Sequence, residues 1–247
     1  MTARENADTV ETPFIPDHQM VCRIGKGAYG EVWLARNVLG TYRGVKIVRR
    51  ATFQDDRPFE REFEGIKRFE PISRSHPGFV SILHVGRNEA EHWFYYVMEV
   101  ADDAAPEQQI NPKTYIPRTL SEEMKQRGRL PVGECVQIGI ELSAALACLH
   151  RQGLIHRDIK PSNIIYIRGT PRLADVGLVA MVREHASWVG TVGFIPSEGP
   201  GTPCADVFAL GMVLYQIAAG HSVKKFPDLP SIVFENSDGL QFARFNR

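Results

Sequence analysis

Residues 25–30 read Gly25-Lys26-Gly27-Ala28-Tyr29-Gly30 and match G-x-G-x-x-G. Glycines at this spacing let backbone N–H groups close over phosphates without interference from a Cβ, although a plain hairpin turn satisfies the same letters. The flanks narrow the choice. A dinucleotide-binding unit needs a helix directly after the third glycine, whereas Glu31-Val32-Trp33-Leu34-Ala35 leads to a turn and another strand. A Walker loop needs Lys-Ser or Lys-Thr where Glu31 stands. Lys46 lies in the apolar stretch Val45-Lys46-Ile47-Val48. It is either a solvated lysine on an edge strand or a cation waiting for an anion. Glu62 shares a helical stripe with Ile66 and Phe69, so it points inward and could hold such a lysine, while Glu60 and Glu64 fall off that stripe.

The most specific segment is His156-Arg157-Asp158-Ile159-Lys160-Pro161-Ser162-Asn163. It fits H-R-D-x-x-x-x-N, four fixed residues that recur by chance on the order of once in 10⁵ positions. Asp175-Val176-Gly177 follows, then Gly190-Thr191, Pro196-Ser197-Glu198 and Asp206-Val207-Phe208-Ala209-Leu210-Gly211. In this order the motifs resemble the eukaryotic-type serine/threonine protein kinase family: catalytic loop, metal-binding DFG, activation segment, APE end and a following buried helix. The resemblance covers about residues 21 to 220.

That resemblance implies roles residue by residue. Asp158 would orient the substrate hydroxyl and accept its proton, and Lys160 would offset charge on the transferring phosphoryl group. Asn163 and Asp175 would offer oxygens to Mg²⁺, and Lys46, held by Glu62, would grip the phosphates of ATP. Ile24, Val32 and Gly44 would roof the adenine site, with Gly44 where alanine is usual, and Ile165 would floor it. Met98 would stand as gatekeeper before hinge residues Glu99, Val100 and Ala101. Lysine at 160 matches the serine/threonine branch, so the implied partners are ATP and protein substrates bearing Ser or Thr. Arg157 would receive an activation-segment phosphate, with Ser187 as acceptor; Thr191 would face the substrate, and His156 and His150 read as structural. Two motifs depart from the pattern. Val176 replaces Phe, and Pro196-Ser197-Glu198 keeps only the glutamate of APE, whose partner arginine is not evident; Arg244 and Arg247 are candidates by default. A buried Glu198 without that arginine would be costly.

The elements expected to position these groups fall into two sets. Strands are expected around Met20–Arg36, Tyr42–Val48, Val80–Val85 and His92–Val100, with a helix from about Pro58 to Phe69. Residues 1–17 read as a loose polar tail, 18–101 as a small β-rich lobe with one helix, and 102–247 as a mainly helical lobe opened by an inserted loop at about 102–118. A short helix is expected over Thr119–Arg127, with two apolar helices over Pro131–His150 and Val207–Ala218, each buried nearly all round. The expected class is therefore α+β, bilobal and protein-kinase-like. Only 41 residues follow Asp206, which predicts an abbreviated second lobe, incomplete after about 220. It also leaves a binding-only pseudokinase scaffold as the alternative reading.

Composition bounds the rest. Hydrophobic residues are 43% of 247, enough for a substantial core. With 29 basic and 29 acidic residues there is no global field for nucleic acid or anionic lipid, and no basic stripe or aromatic ladder suggests nucleic acid. No membrane span or secretory signal is expected, and the scattered Cys22, Cys135, Cys148 and Cys204 suggest neither zinc nor disulfides. The expected compartment is the cytoplasm.

Overall fold

The computed structural model describes residues 12–27, 30–105, 109–175, 180–181 and 191–228. Five strands, β1 (His18–Gly27), β2 (Gly30–Asn37), β3 (Tyr42–Arg49), β4 (Ile82–Asn88) and β5 (Trp93–Met98), form one antiparallel sheet in the order β1-β2-β3-β5-β4. Alternation along β5 shows how its two faces divide. Trp93, Tyr95 and Val97 join a cluster with Trp33, Val45 and Ile47, while Phe94 and Tyr96 face the larger core. Ile15 also packs into the first cluster and is fully buried, which corrects the loose tail at its last residues. Residues 1–11 lie outside the described residues.

Helix α1 (Asp56–Ser73) covers the sheet. It starts two residues before the sequence expectation because the Asp55 side chain accepts from Arg57 N–H and caps it. Its buried stripe is Phe59, Glu62, Ile66 and Phe69. Strand β4 runs three residues past the expected end, since its pairing with β5 continues to Asn88 opposite Trp93.

The second set comprises α2 (Leu120–Arg127), α3 (Val132–Arg151), strands β6 (Leu154–Ile155), β7 (Ile164–Ile167), β8 (Thr170–Leu173) and β9 (Ala180–Met181), and α4 (Pro203–Ala219). Thr202 caps α4 and Pro203 fills its first turn; Gly220 ends it in the left-handed region at φ 68°. Helix α3 is long and apolar enough to cross a bilayer by length and composition, but Cys135, Ile138, Leu142, Ala145, Leu146 and Leu149 form a one-sided stripe buried in the core. The expectation of burial all round is corrected here: Val136 and Ile140 are 40% and 61% exposed. Val207 and Phe208, in the first turns of α4, are exposed as well.

The two sets are joined at residues 99–105. Asp102 N–H donates to Tyr166 O, and both Asp102 carboxylate oxygens accept N–H bonds of 2.8 Å, from Arg168 and Gly169. Those two residues, at φ 53° and 74°, turn β7 into β8.

Candidate active site

A cleft of about 360 Å³ lies where the sheet meets the helical set, a volume in the range of small-ligand sites. Register explains its roof. Gly44 stands opposite Met98 and Lys46 opposite Tyr96 across β3 and β5, and Val32 stands opposite Lys46 across β2 and β3. Ile24, Gly25, Lys26 and Gly27 complete the β1 side, Glu99, Val100 and Ala101 form the back edge, and Ile165 lies on the β7 side. A Cβ on Gly44 would stand 3.2 Å from two atoms of Met98 and 3.5 Å from Glu99 O, so glycine leaves slack at that point.

Gly30 is the predicted site residue the structure does not bring in. It lines a separate cavity with Arg23 and Arg49, and an added Cβ would collide with the Ile47 carbonyl. Its glycine serves the close approach of β2 to β3, a requirement the motif letters conceal. Ala28 and Tyr29 lie outside the described residues, as do Val176, Gly177, Ser187, Gly190, Arg244 and Arg247.

Lys46 is buried and hydrogen-bonds Asp175. Burial works to lower the Lys46 pKa, but Asp175, with Tyr96 and Glu62, outweighs it and holds the lysine well above its usual range. Asp175 is pulled the other way: burial favours its acid form, yet Lys46 keeps its pKa below the ordinary aspartate value. Glu62 stands 3.7 Å from Lys46, an ion pair too long for a hydrogen bond, and both its oxygens are buried without a hydrogen-bond partner. Burial first, opposed by Lys46 and reinforced by Asp175, pushes its pKa to about 7. The sequence reading thus placed Glu62 beside Lys46 but missed that Asp175 is the closer partner.

Across the cleft, Asp158 is held from several sides. Its Oδ1 accepts the Thr191 hydroxyl at 2.9 Å, and its Oδ2 accepts Asn163 Nδ2 at 2.8 Å and lies 2.8 Å from Lys160 Nζ. Lys160 Nζ also donates to Thr191 Oγ1 at 3.0 Å. Thr191 therefore belongs to this cluster, a placement the sequence reading left at the substrate region in general. Asn163 spends its amide nitrogen on Asp158 O and Oδ2, while its Oδ1 accepts only a long 3.5 Å bond from the Ser162 hydroxyl and keeps a lone pair for another partner. Asn163 and Asp175 line the same cleft, so two hard oxygen donors are available for a divalent cation.

The catalytic-loop segment hangs from α4. Asp206, 1% exposed, accepts N–H bonds from His156 at 2.8 Å and Arg157 at 2.9 Å, and pairs with His150 Nε2 at 2.8 Å. Arg157 there adopts φ 71°, unusual for a non-glycine residue. His156 is fully buried and bonds Ala174 O through Nε2, a structural histidine as expected. The three bonds gathered by Asp206 were invisible in sequence, where it appeared only as a motif letter. Glu198 is exposed, so the cost expected of burying it does not arise.

A strand-rich lobe and a helical lobe that meet at a cleft, with lysine and aspartates converging on it, define the architecture of a protein kinase. The family model for the protein kinase domain matches residues 18–240, and the chain belongs to that family. Among curated relatives, a probable serine/threonine-protein kinase, CPE1738 of Clostridium perfringens (strain 13 / Type A), is 29% identical over 215 residues, 82% of this chain and 29% of the relative. The probable serine/threonine-protein kinase PknB of Lactococcus lactis subsp. lactis (strain IL1403) is 28% identical over 84% of this chain and 32% of its own length. The serine/threonine-protein kinase PknA of Mycobacterium tuberculosis (strain ATCC 25618 / H37Rv) is 28% identical over 80% and 45%. The chain thus spans between about a third and under half of the length of these relatives.

Proposed function

We propose that this chain transfers the γ-phosphoryl group of ATP to serine or threonine hydroxyls of proteins, with Mg²⁺ as the metal. The observation that carries the reading is convergence: Lys46, Asp175 and the segment bearing Asp158 and Asn163 come from three separate stretches of sequence; Lys46, Asn163 and Asp175 line one cleft, and Asp158 is bonded to Asn163 at its edge. Asp158 accepts the proton of the attacking hydroxyl as an O–P bond forms and the bond to the β-phosphate oxygen breaks; ADP is the leaving group. Lys160 and Thr191 fix the orientation of that carboxylate, and Lys160 also supplies positive charge where it develops on the transferring group. Lys46 binds phosphate oxygens, and Asn163 and Asp175 would hold the cation. A divalent cation bound there contributes neutralisation of phosphate charge. Glu99 O and Ala101 N–H, which hold no partner among the described residues, would read the purine edge. The relatives named as serine/threonine-protein kinases support the acceptor class.

Incubation with labelled ATP, Mg²⁺ and a generic protein acceptor tests this. Asp158→Asn is expected to reduce transfer by about 10²–10⁴-fold, the usual scale for losing a general base, with nucleotide binding retained. Nucleotide binding without any transfer by the wild-type chain would instead support the scaffold.

A further inference from the structure

The loop at 102–118 does more than separate the lobes. Its neck is zipped: Ala104 N–H donates to Ile116 O and Arg118 N–H to Asp102 O, each at 2.8 Å, around an antiparallel bridge between Asp103 and Pro117. This closure holds Tyr115 in the cleft wall, 8% exposed. The Tyr115 hydroxyl donates to Ala101 O at 2.9 Å. The loop also touches β1, where Cys22 Sγ lies 3.6 Å from Pro112 O.

We propose that Tyr115 determines purine specificity, admitting adenine and rejecting purines that carry an amino group at C2. The inference rests on the reading of the cleft as an ATP site and deepens it. If Glu99 O takes the 6-amino group and Ala101 N–H bonds N1, the next ring position, C2, faces Ala101 O. That oxygen already accepts the tyrosine hydroxyl at 2.9 Å, so a 2-amino donor would have to compete with the hydroxyl for it. A hydrogen at C2 is compatible with this arrangement; an amino group must displace the hydroxyl or go without its bond. Burial, then Asp103 and Asp102, raise the hydroxyl pKa, so the phenol remains the donor at neutral pH.

The cleanest probe is 2,6-diaminopurine riboside triphosphate, which differs from ATP only by the 2-amino group. Dissociation constants for both nucleotides are measured directly by calorimetry on the chain with Mg²⁺. The wild-type chain is expected to bind the diaminopurine nucleotide about tenfold more weakly than ATP or worse, the scale of one unmet hydrogen bond. Tyr115→Phe keeps the ring, removes the oxygen and frees Ala101 O, so the ratio should move toward unity. Equal affinity in the wild-type chain overturns the proposal without any variant, and a ratio unchanged in Tyr115→Phe overturns it while ATP binding still supports the kinase reading. A wild-type chain that binds neither nucleotide overturns both.

Discussion

At the scale of single residues, Glu62 carries a cost that its neighbours only partly offset. Its two oxygens are buried without hydrogen bonds, and Lys46 at 3.7 Å is shared with Asp175. The pKa is accordingly raised from 4.5 to about 7. Between those values the folded protein holds a proton that the unfolded chain has released. The stability contributed by this group is therefore complete below about pH 4.5 and lost as pH rises through about 7. Glu62→Gln keeps shape and removes the titration. Urea unfolding from about pH 5 to about pH 8 should show the wild-type chain losing stability relative to the variant up to about pH 7, then running level with it. Curves that stay parallel throughout would show that Glu62 is ionised in the fold at every pH. Sequence could place Glu62 inward because a helical stripe is a local property. It could not show that Asp175, 129 residues from Lys46 in sequence, competes for the same lysine.

At the scale of elements, the catalytic-loop segment depends on a helix that follows it by some fifty residues. Asp206 satisfies the buried N–H groups of His156 and Arg157 and holds His150 at the end of α3. Removing the carboxylate leaves two donors unpaired, at about 1–3 kcal/mol each. Asp206→Ala is expected to lower unfolding free energy by about 2–5 kcal/mol, with Asp206→Asn losing less because one acceptor oxygen remains. Denaturant titration of both variants checks the order; an alanine variant as stable as wild type would mean that water satisfies the loop. The existence of α4 was legible from its apolar run, and Thr202-Pro203 and Gly220 mark its ends by local chemistry. Its support of Asp158 was not, because backbone bonds to a distant carboxylate leave no periodic trace. The same limit applies to Gly30, whose letter fits a phosphate loop but whose space is taken by Ile47.

Across the whole molecule, the division into a sheet lobe and a helical lobe followed from the change of hydrophobic period near residue 102. What the pattern overstated was burial. In α3, the apolar residues off the stripe, Val136 and Ile140, face outward, while Leu142 and Leu146 fill the core shared with α4. Leu142→Ala should cost about 2–5 kcal/mol as a core cavity, whereas Ile140→Ala should change stability by no more than about 0.5 kcal/mol. Thermal and chemical unfolding of the pair decides this. A large loss at Ile140 would mean that its exposed side is covered in solution.

Asp102 has one more consequence. Its backbone joins the strand that floors the cleft, and its carboxylate seizes the turn at the end of that strand. Floor and rear edge are thereby tied together by three hydrogen bonds, so if the cleft holds a nucleotide as proposed, opening for its exchange is expected on the opposite side, at β1 and β2.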